Sequence, residues 1–253
     1  MKEVRIFALA EAMSRHAAEE IVRLAEEAAG ASGRFTVALS GGSTPRATYA
    51  LMADDPSLRE RMPWGRTHFF WGDERLVPPD HPESNYRMAY EAMLSKVPVP
   101  PENVHRIAGE HQDSTQAADE YERALIEFFK LSRGEFPFFD LVLLGLGPDG
   151  HVASLFPGTV ALRERHGLVV ANWVEQLDAE RITMTPPVFN HAACLIFLVS
   201  GAEKAAALKA VLEPGAASKR LPAQRIQPQR GRLIWLADRA AARLLEGHAE
   251  SPE

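Results

Sequence analysis

The stretch FDLVLLGLGPDGHVASLFPG, residues 139–158, is the part of the chain that decides the fold. Its first segment, FDLVLLGL, is typical of a strand that is covered on both faces. The strand leads into Gly145-x-Gly147-x-x-Gly150, the spacing of a dinucleotide-binding turn. His151 follows the last glycine directly, and Pro157 lies shortly behind it. Two interpretations are therefore open: a nicotinamide site, or a turn that presents a histidine for other chemistry.

The residues after the glycines favour the second interpretation. A dinucleotide site requires a full helix after the turn and an acidic residue at the end of the next strand. Pro157 and Gly158 limit any helix to about two turns, and the following segment offers only Glu175. Asp149 is placed to orient its neighbour, and the imidazole of His151 is of a type that titrates near neutral pH. The structural alternative is a capping or packed histidine.

The bulk properties predict one ordinary globular domain. The chain has 253 residues, of which 46% are apolar and 25% are charged, values typical of a soluble fold with a sizeable core. The net charge of −6 predicts no attraction to nucleic acid or to an anionic membrane. An anionic ligand would therefore need a local concentration of Arg and Lys.

The termini and the single cysteine indicate a cytoplasmic protein. The N-terminus has no signal-peptide h-region, and no apolar run approaches the roughly 20 residues that span a bilayer. Cys194 excludes an internal disulfide, and its apolar surroundings predict that it is buried. We expect disorder only in the C-terminal tail EGHAESPE, residues 246–253.

Strand patterns alternate with helix patterns along the chain, which indicates a mostly parallel sheet with helices on both faces. We therefore predict an α/β class and a single Rossmann-like domain over residues 1–253, with a core from about residue 4 to 245. The predicted strands are residues 4–9, 34–40, 67–74, 139–146, 166–174, 194–201 and 231–238. The predicted helices are residues 10–29, a segment from about Thr44, and residues 84–97, 114–131, 202–213 and 238–248, with Ser84 and Ser114 as capping residues.

Ligands of such sheets bind beyond the carboxyl ends of the strands, and the first such end carries a candidate anion site. The segment LSGGSTPRATY, residues 39–49, ends a strand and begins a helix. Gly41 and Gly42 remove side chains, and Ser43 and Thr44 offer hydroxyls, so that a helix N-terminus can bind phosphate. The alternative is a plain turn closed by a Ser or Thr cap.

Other strand ends concentrate charge. The run THFFWGDE delivers Asp73, Glu74 and Arg75 together, and such charges are costly to bury without partners. The alternative is a solvated ion-pair cluster. Arg181 lies beside a β-prone run, and Lys204 lies just inside a helix, where it opposes the helix dipole. An anionic ligand near Lys204 would offset that cost, although a solvated lysine is the simpler reading.

Taken together, these segments resemble the 6-phosphogluconolactonase family. The matching pieces are LSGGSTPRATY, FFWGDERLVPPDHPESNY, LLGLGPDGHVASLFPG, RITMTPPVFNHA, GAEKAAAL and GRLIWLAD, which follow in this order from about residue 35 to 240. The resemblance implies an enzyme that hydrolyses 6-phospho-D-glucono-1,5-lactone without an organic cofactor. We expect no metal either, because His68, His81 and His151 do not form a recognisable ligand spacing. Glucosamine-6-phosphate deaminase, a related sugar-phosphate enzyme, is the enzymatic alternative, and a non-catalytic sugar-phosphate-binding module is the other.

The resemblance also assigns roles that we carry forward as expectations. His151 moves protons to and from the reacting oxygens, Asp149 or Asp73 orients its ring, and Arg75 and the amides of the Gly147–Gly150 turn stabilise developing charge. The expected phosphate ligands are Gly41, Gly42, Ser43, Thr44, Arg181 and Lys204. We expect a small phosphosugar lactone as the sole partner, and a monomer or weak homodimer.

Overall fold

The computed structural model describes residues 2–213 and 220–246, so most of the tail that we expected to be disordered lies outside the described residues. In these ranges no helix is long and apolar enough to cross a membrane. The strands are β1 Lys2–Phe7, β2 Phe35–Leu39, β3 Thr67–Trp71, β4 Asp73–Arg75, β5 Val104–His105, β6 Leu141–Leu144, β7 Val169–Val174, β8 Ala179–Met184, β9 Cys194–Val199 and β10 Arg232–Asp238. The α-helices are α1 Ala10–Ser32, α2 Ser43–Asp54, α3 Pro56–Arg59, α4 Asn85–Ala92, α5 Ser114–Phe129, α6 Pro186–Asn190, α7 Ala205–Leu212 and α8 Arg239–Ala242.

Seven strands form the central sheet in the order β1-β10-β9-β6-β2-β3-β5. Every neighbouring pair in it is parallel, which confirms the predicted α/β class. Strands β2, β6 and β9 are buried along their whole length, as expected of parallel strands that are covered on both faces.

The order of the strands creates a crevice in the middle of the sheet. The connections from β1 to β5 step toward one edge, and those from β6 to β10 step toward the other. Because such crossovers are right-handed, α1, α2 and α4 lie on one face and α5 and α7 on the other. Strands β2 and β6 are neighbours whose connections leave in opposite directions, and ligands of open α/β sheets bind at this type of switch point.

A second sheet, antiparallel and of three strands in the order β4-β8-β7, was not expected. The run THFFWGDE does not form one strand, because the chain changes sheets at Gly72. The amide of Gly72 donates to the carbonyl of Leu39 at 3.0 Å, and its own carbonyl accepts from the amide of Met184 at 2.8 Å. Residues 166–174 likewise contribute an antiparallel strand rather than a parallel one.

Local capping decides where the helices begin. Ser84 caps α4 as predicted, since its side chain accepts a hydrogen bond from an amide of the first turn. The prediction of a Ser114 cap is wrong: Asp113 caps α5, and the hydroxyl of Ser114 donates to Glu180 instead. Cys194 is buried as predicted, and burial raises the pKa of its thiol to about 11.

Two buried tyrosines from opposite faces hold the strand ends that matter for the crevice. The hydroxyl of Tyr49 in α2 accepts from the amide of Ser40 and donates to its carbonyl, both at 3.0 Å. Tyr121 in α5 does the same for Trp71, at 2.9 and 3.1 Å. Burial raises the pKa of both phenols well above the usual range. Both hydroxyls therefore stay protonated and keep the ends of β2 and β3 in place.

Candidate active site

A cavity of about 210 Å³ opens at the switch point, beyond the carboxyl ends of β2, β3, β6 and β9. Most of the site residues predicted from the sequence come together here, although they are widely separated in the chain. Asp149 and Arg181 are not among the lining residues. Those that do line the cavity are Gly41, Gly42, Ser43, Thr44, Asp73, Arg75, His151 and Lys204.

Asp149 holds the imidazole of His151. Its Oδ1 lies 2.6 Å from Nδ1 of the ring and also accepts from the backbone amide of His151 at 3.1 Å. The ring stacks on Phe156 with 4.1 Å between centroids and remains 28% exposed. The sequence left Asp149 and Asp73 open as orienting carboxylates, and this geometry selects Asp149. With Nδ1 bound to a carboxylate, Nε2 is the nitrogen left for exchange with a ligand.

The pKa of Asp149 reflects the same contacts. Partial burial alone would raise it, but the backbone amide of His151, the charge and hydrogen bond of its ring, and the amide of Gln176 together outweigh burial. The pKa of Asp149 therefore lies below its usual value. A carboxylate that stays ionised remains an acceptor for the ring across the neutral range.

The turn that carries the ring is closed by its own hydrogen bonds. The amide of Gly147 donates to the carbonyl of His151 at 2.9 Å, and the amide of Gly150 donates to the carbonyl of Gly147 at 3.0 Å. These two amides are therefore not free to stabilise charge on a ligand, contrary to our expectation. A Cβ at Gly147 would lie 2.0 Å from Nδ1 of His151, so only glycine lets the ring lie against the turn.

The dinucleotide interpretation fails in the structure. Residues Val152 and Leu155 form a β-bridge directly after the glycines, where a nucleotide-binding turn would continue into a helix. The Gly-x-Gly-x-x-Gly spacing here serves to place His151.

The loop after β2 is open, in contrast. Helix α2 begins at Ser43, and no side chain caps its first turn, so the alternative of a turn closed by a Ser or Thr cap is not observed. An uncapped helix N-terminus offers amide donors and a partial positive charge to an anion. A Cβ at Gly41 would lie 1.8 Å from Oδ1 of Asn85, so glycine is required for α4 to approach this loop.

Lys204 lies on the side of the cavity that β9 forms. It ends a short 3-10 turn just before α7. Asp238 holds the preceding loop, because it accepts from the hydroxyl of Ser200 at 2.5 Å and from the amide of Gly201 at 3.1 Å. Lys204 forms no ion pair with any residue in the described ranges, and its charge adds to that of the helix end.

The neighbouring acids of β4 have different surroundings. Asp73 is 8% exposed, lines the cavity and accepts from the hydroxyl of Ser154 at 2.6 Å. Glu74 is 2% exposed and accepts from the amides of Asn85 and Tyr86 at 2.8 and 2.9 Å. Burial raises the pKa of Glu74 in spite of these bonds. Glu74 therefore anchors the start of α4, and Asp73 is the acid presented to a ligand.

Two arginines stand side by side across β4 and β8. Arg75 lines the cavity and donates to the carbonyl of Glu83. Arg181 is its register partner and donates to the carbonyl of Glu180 at 3.0 Å. Burial, and then the charge of Arg75, lower the pKa of Arg181. Arg181 therefore lies beside the cavity-lining arginine rather than in the lining, and its role toward a phosphate stays a prediction.

Several polar residues of the site escaped the sequence analysis. The side-chain amide of Asn85 donates to the carbonyl of Asp73 at 2.9 Å, and Ser154, Asp238 and Gln176 support site residues in similar ways. Asn85 lies in the segment SNY and Ser154 in the segment ASLFPG. No local pattern predicts which distant group either side chain will contact. In the described part of the chain, no group of three or more His, Cys, Asp or Glu is arranged to hold a metal ion.

Comparisons with known proteins identify the family. The family described as glucosamine-6-phosphate isomerases/6-phosphogluconolactonase matches residues 8–235. A 6-phosphogluconolactonase of Nostoc sp. is 47% identical over 210 residues, which cover 83% of this chain and 84% of the relative. A 6-phosphogluconolactonase of Arabidopsis thaliana, described as chloroplastic, is 38% identical over 255 residues, covering 95% of this chain and 74% of the relative.

Solved structures are similar over nearly the whole chain. The 6-phosphogluconolactonase of Trypanosoma brucei superposes with a TM-score of 0.86 at 31% identity, covering 97% of this chain and 99% of that one. A monomeric glucosamine-6-phosphate deaminase superposes with a TM-score of 0.78 at 23% identity, covering 96% of this chain and 100% of that one, a likeness that shows the fold alone. The chain belongs to the glucosamine-6-phosphate isomerase/6-phosphogluconolactonase family.

Proposed function

We propose that the chain hydrolyses 6-phospho-D-glucono-1,5-lactone to 6-phospho-D-gluconate, the second step of the oxidative pentose phosphate pathway. The names of its relatives support this reaction. The observation that carries the proposal is the 2.6 Å contact between Asp149 and Nδ1 of His151 at the edge of the cavity. This contact leaves one imidazole nitrogen for proton transfer, beside an uncapped helix end that suits a phosphate.

His151 is the proton carrier of the reaction. Nε2 accepts a proton from water as the water oxygen attacks C1 of the lactone, and a tetrahedral intermediate forms. When the bond between C1 and the ring oxygen breaks, the ring oxygen takes that proton back from Nε2. The product acid then ionises and releases one proton to solvent. Asp149 stabilises the imidazolium between the two transfers and keeps its ring in one tautomer.

The phosphate is held at the other side of the cavity. The first turn of α2 supplies amide donors, Ser43 and Thr44 supply hydroxyls, and Lys204 supplies a charge that no carboxylate in the described residues neutralises. Arg181, the register partner of Arg75, is proposed to add long-range positive charge that favours the bound phosphate.

Arg75 and Asp73 line the cavity on the side of β4, and we assign a role to each. The guanidinium of Arg75 lines the cavity and is the cation available for charge that grows on the carbonyl oxygen, since the amides of Gly147 and Gly150 are engaged. Asp73, held by Ser154, is an acceptor for a sugar hydroxyl. Ser154 is buried and does not line the cavity, which argues against Ser154 as a nucleophile.

One assay separates this proposal from its rivals. Purified protein is given freshly made phosphogluconolactone in a pH-stat or dehydrogenase-coupled assay, and glucosamine 6-phosphate is tested in parallel for ammonia release. Lactone hydrolysis above the spontaneous rate supports the proposal. Ammonia release would assign a deaminase, and binding of phosphogluconate without turnover of either substrate would assign a sugar-phosphate-binding module.

The remaining expectations form part of the same proposal. The chain acts in the cytoplasm, as a monomer or weak homodimer, without an organic cofactor and without nucleic acid or membrane as a partner. Sedimentation velocity over a range of protein concentrations tests the oligomeric state, and a stable higher oligomer would contradict it.

A further inference from the structure

The hairpin of the second sheet holds the histidine turn at two points. The side-chain amide of Asn172 in β7 donates to the carbonyl of Ser154 at 2.7 Å, and this contact is buried. Past the end of β7, the side-chain amide of Gln176 donates to Oδ2 of Asp149 at 3.1 Å. Strand β7 and the turn that follows it thus contact the chain both before His151, at Asp149, and after it, at Ser154.

Gln176 meets the carboxylate oxygen that the histidine does not use. Oδ1 of Asp149 receives both the ring and the amide of His151, whereas Oδ2 receives Gln176. A carboxylate held by one oxygen can still rotate about its Cβ–Cγ bond, because that terminal torsion is broad. A donor on the second oxygen restricts this rotation and fixes the plane in which Oδ1 faces Nδ1.

The turn that carries Gln176 is ordered by its own backbone. Residues Glu175–Leu177 form a 3-10 turn that Asp178 closes in the left-handed region, at a φ of 46°. The amide of Asp178 donates to the carbonyl of Glu175 at 3.1 Å. The side chain of Gln176 therefore extends from a defined hairpin tip rather than from a free loop.

We propose that Gln176 is a positioning residue that, through Asp149, holds the imidazole of His151 in the tautomer with its proton on Nδ1. The expected effect on kcat rests on the proposed function, whereas the expected effect on the His151 tautomer does not. Because Gln176 supplies one hydrogen bond to a partly exposed carboxylate, its loss is expected to lower kcat by about 2- to 10-fold and to leave KM unchanged.

The test uses nitrogen-15 NMR of the histidine ring, which needs no substrate. Wild-type protein is compared with Gln176→Ala and with Glu175→Ala, a matched change of the neighbouring exposed residue in the same turn. We expect the Nδ1–H tautomer of His151 in wild type and in Glu175→Ala, and a measurable fraction of the Nε2–H tautomer in Gln176→Ala. An unchanged tautomer in Gln176→Ala would overturn the inference.

A double-mutant cycle gives the second readout. If Gln176 acts through Asp149, Gln176→Ala should cause no further loss of kcat in an Asp149→Asn background. An equal loss in both backgrounds would overturn the inference. Should wild type hydrolyse no lactone while the tautomers behave as expected, the proposed function fails and the positioning role of Gln176 stands.

Discussion

The loops after β2 and β6 follow neighbouring parallel strands and border the same cavity, yet they are built in opposite ways. The loop after β2 opens onto a helix end that no side chain caps. The loop after β6 is closed by hydrogen bonds of its own amides and presents a single titratable ring. Unused donors suit the binding of an anion, and a closed turn suits a group whose position must not vary. This contrast supports our proposal that the switch point separates phosphate binding from proton transfer between adjacent strands.

The largest effect should follow from removing the ring of the closed loop. His151→Ala is expected to lower kcat by about 10²–10⁴-fold, the range typical of a general base. The measurement is kcat on freshly prepared lactone, corrected for spontaneous hydrolysis. The control is His166→Ala, which changes an exposed histidine. A near-wild-type kcat in His151→Ala would remove the ring from the mechanism.

Adding a single methyl group to the closed loop should lower kcat almost as much. In Gly147→Ala the new Cβ would lie 2.0 Å from Nδ1 of His151, and a displacement of the ring by about 1 Å costs on the order of 10²-fold in kcat. Gly145→Ala is the matched control, since its Cβ would meet nothing nearer than Oγ of Ser40 at 3.9 Å. Equal kcat values for the two variants would show that the turn does not set the position of the ring.

The phosphate side of the cavity, formed by the open loop and by Lys204 after β9, should respond in binding rather than in rate. Lys204→Met removes a charge that interacts alike with ground state and transition state, so KM should rise and kcat should hold. A charge-assisted hydrogen bond of about 1.5–3 kcal/mol corresponds to a rise of roughly 10- to 100-fold. Lys209→Met is the control, because Lys209 pairs with Glu246 on the outside of α7. A defect confined to kcat would contradict a phosphate role for Lys204.

A titrating pair outside both loops should affect stability and leave the site untouched. His105 on the edge strand β5 lies 3.2 Å from His68, and burial together with the charge of His68 lowers the pKa of His105 to about 4. In the unfolded chain the pKa of His105 is about 6.5. Below that pH the unfolded chain binds a proton at His105 and the folded chain does not, so the free energy of unfolding falls as the pH drops toward 4.

The corresponding variant is His105→Phe, whose ring can stack on Phe70 as the imidazole does. Denaturant unfolding at pH 7 and pH 5 should show that wild type loses about 1–2 kcal/mol more than the variant over this interval, the lower figure allowing for solvent screening. The same pH dependence in both proteins would mean that His105 is not the titrating group.

The removal of metal ions is expected to have no effect on activity. Exhaustive chelation should leave lactone hydrolysis unchanged, because Lys204 and Arg75 line the cavity and supply its positive charge. Activity lost on chelation and restored by a divalent cation would contradict the metal-free proposal.

The sequence predicts the residues of both loops, but not the distant groups that they contact. Glycines, hydroxyls and DGH are local signals, so the switch-point residues 41–44 and His151 could be named in advance. The hydrogen-bond partner of Asp73 could not be predicted, because Ser154 lies 81 residues away in the chain and contacts Asp73 only in the folded protein. The antiparallel sheet was missed for a similar reason: a short run such as Asp73–Arg75 carries no sign of which strand will pair with it.

The separation of phosphate binding from proton transfer is tested most directly by calorimetric titration of His151→Ala and Lys204→Met with 6-phosphogluconate. We predict that His151→Ala binds this product within about threefold of the wild-type Kd, while Lys204→Met binds it roughly 10- to 100-fold more weakly. The reverse order, with weak binding in His151→Ala and wild-type binding in Lys204→Met, would contradict the account.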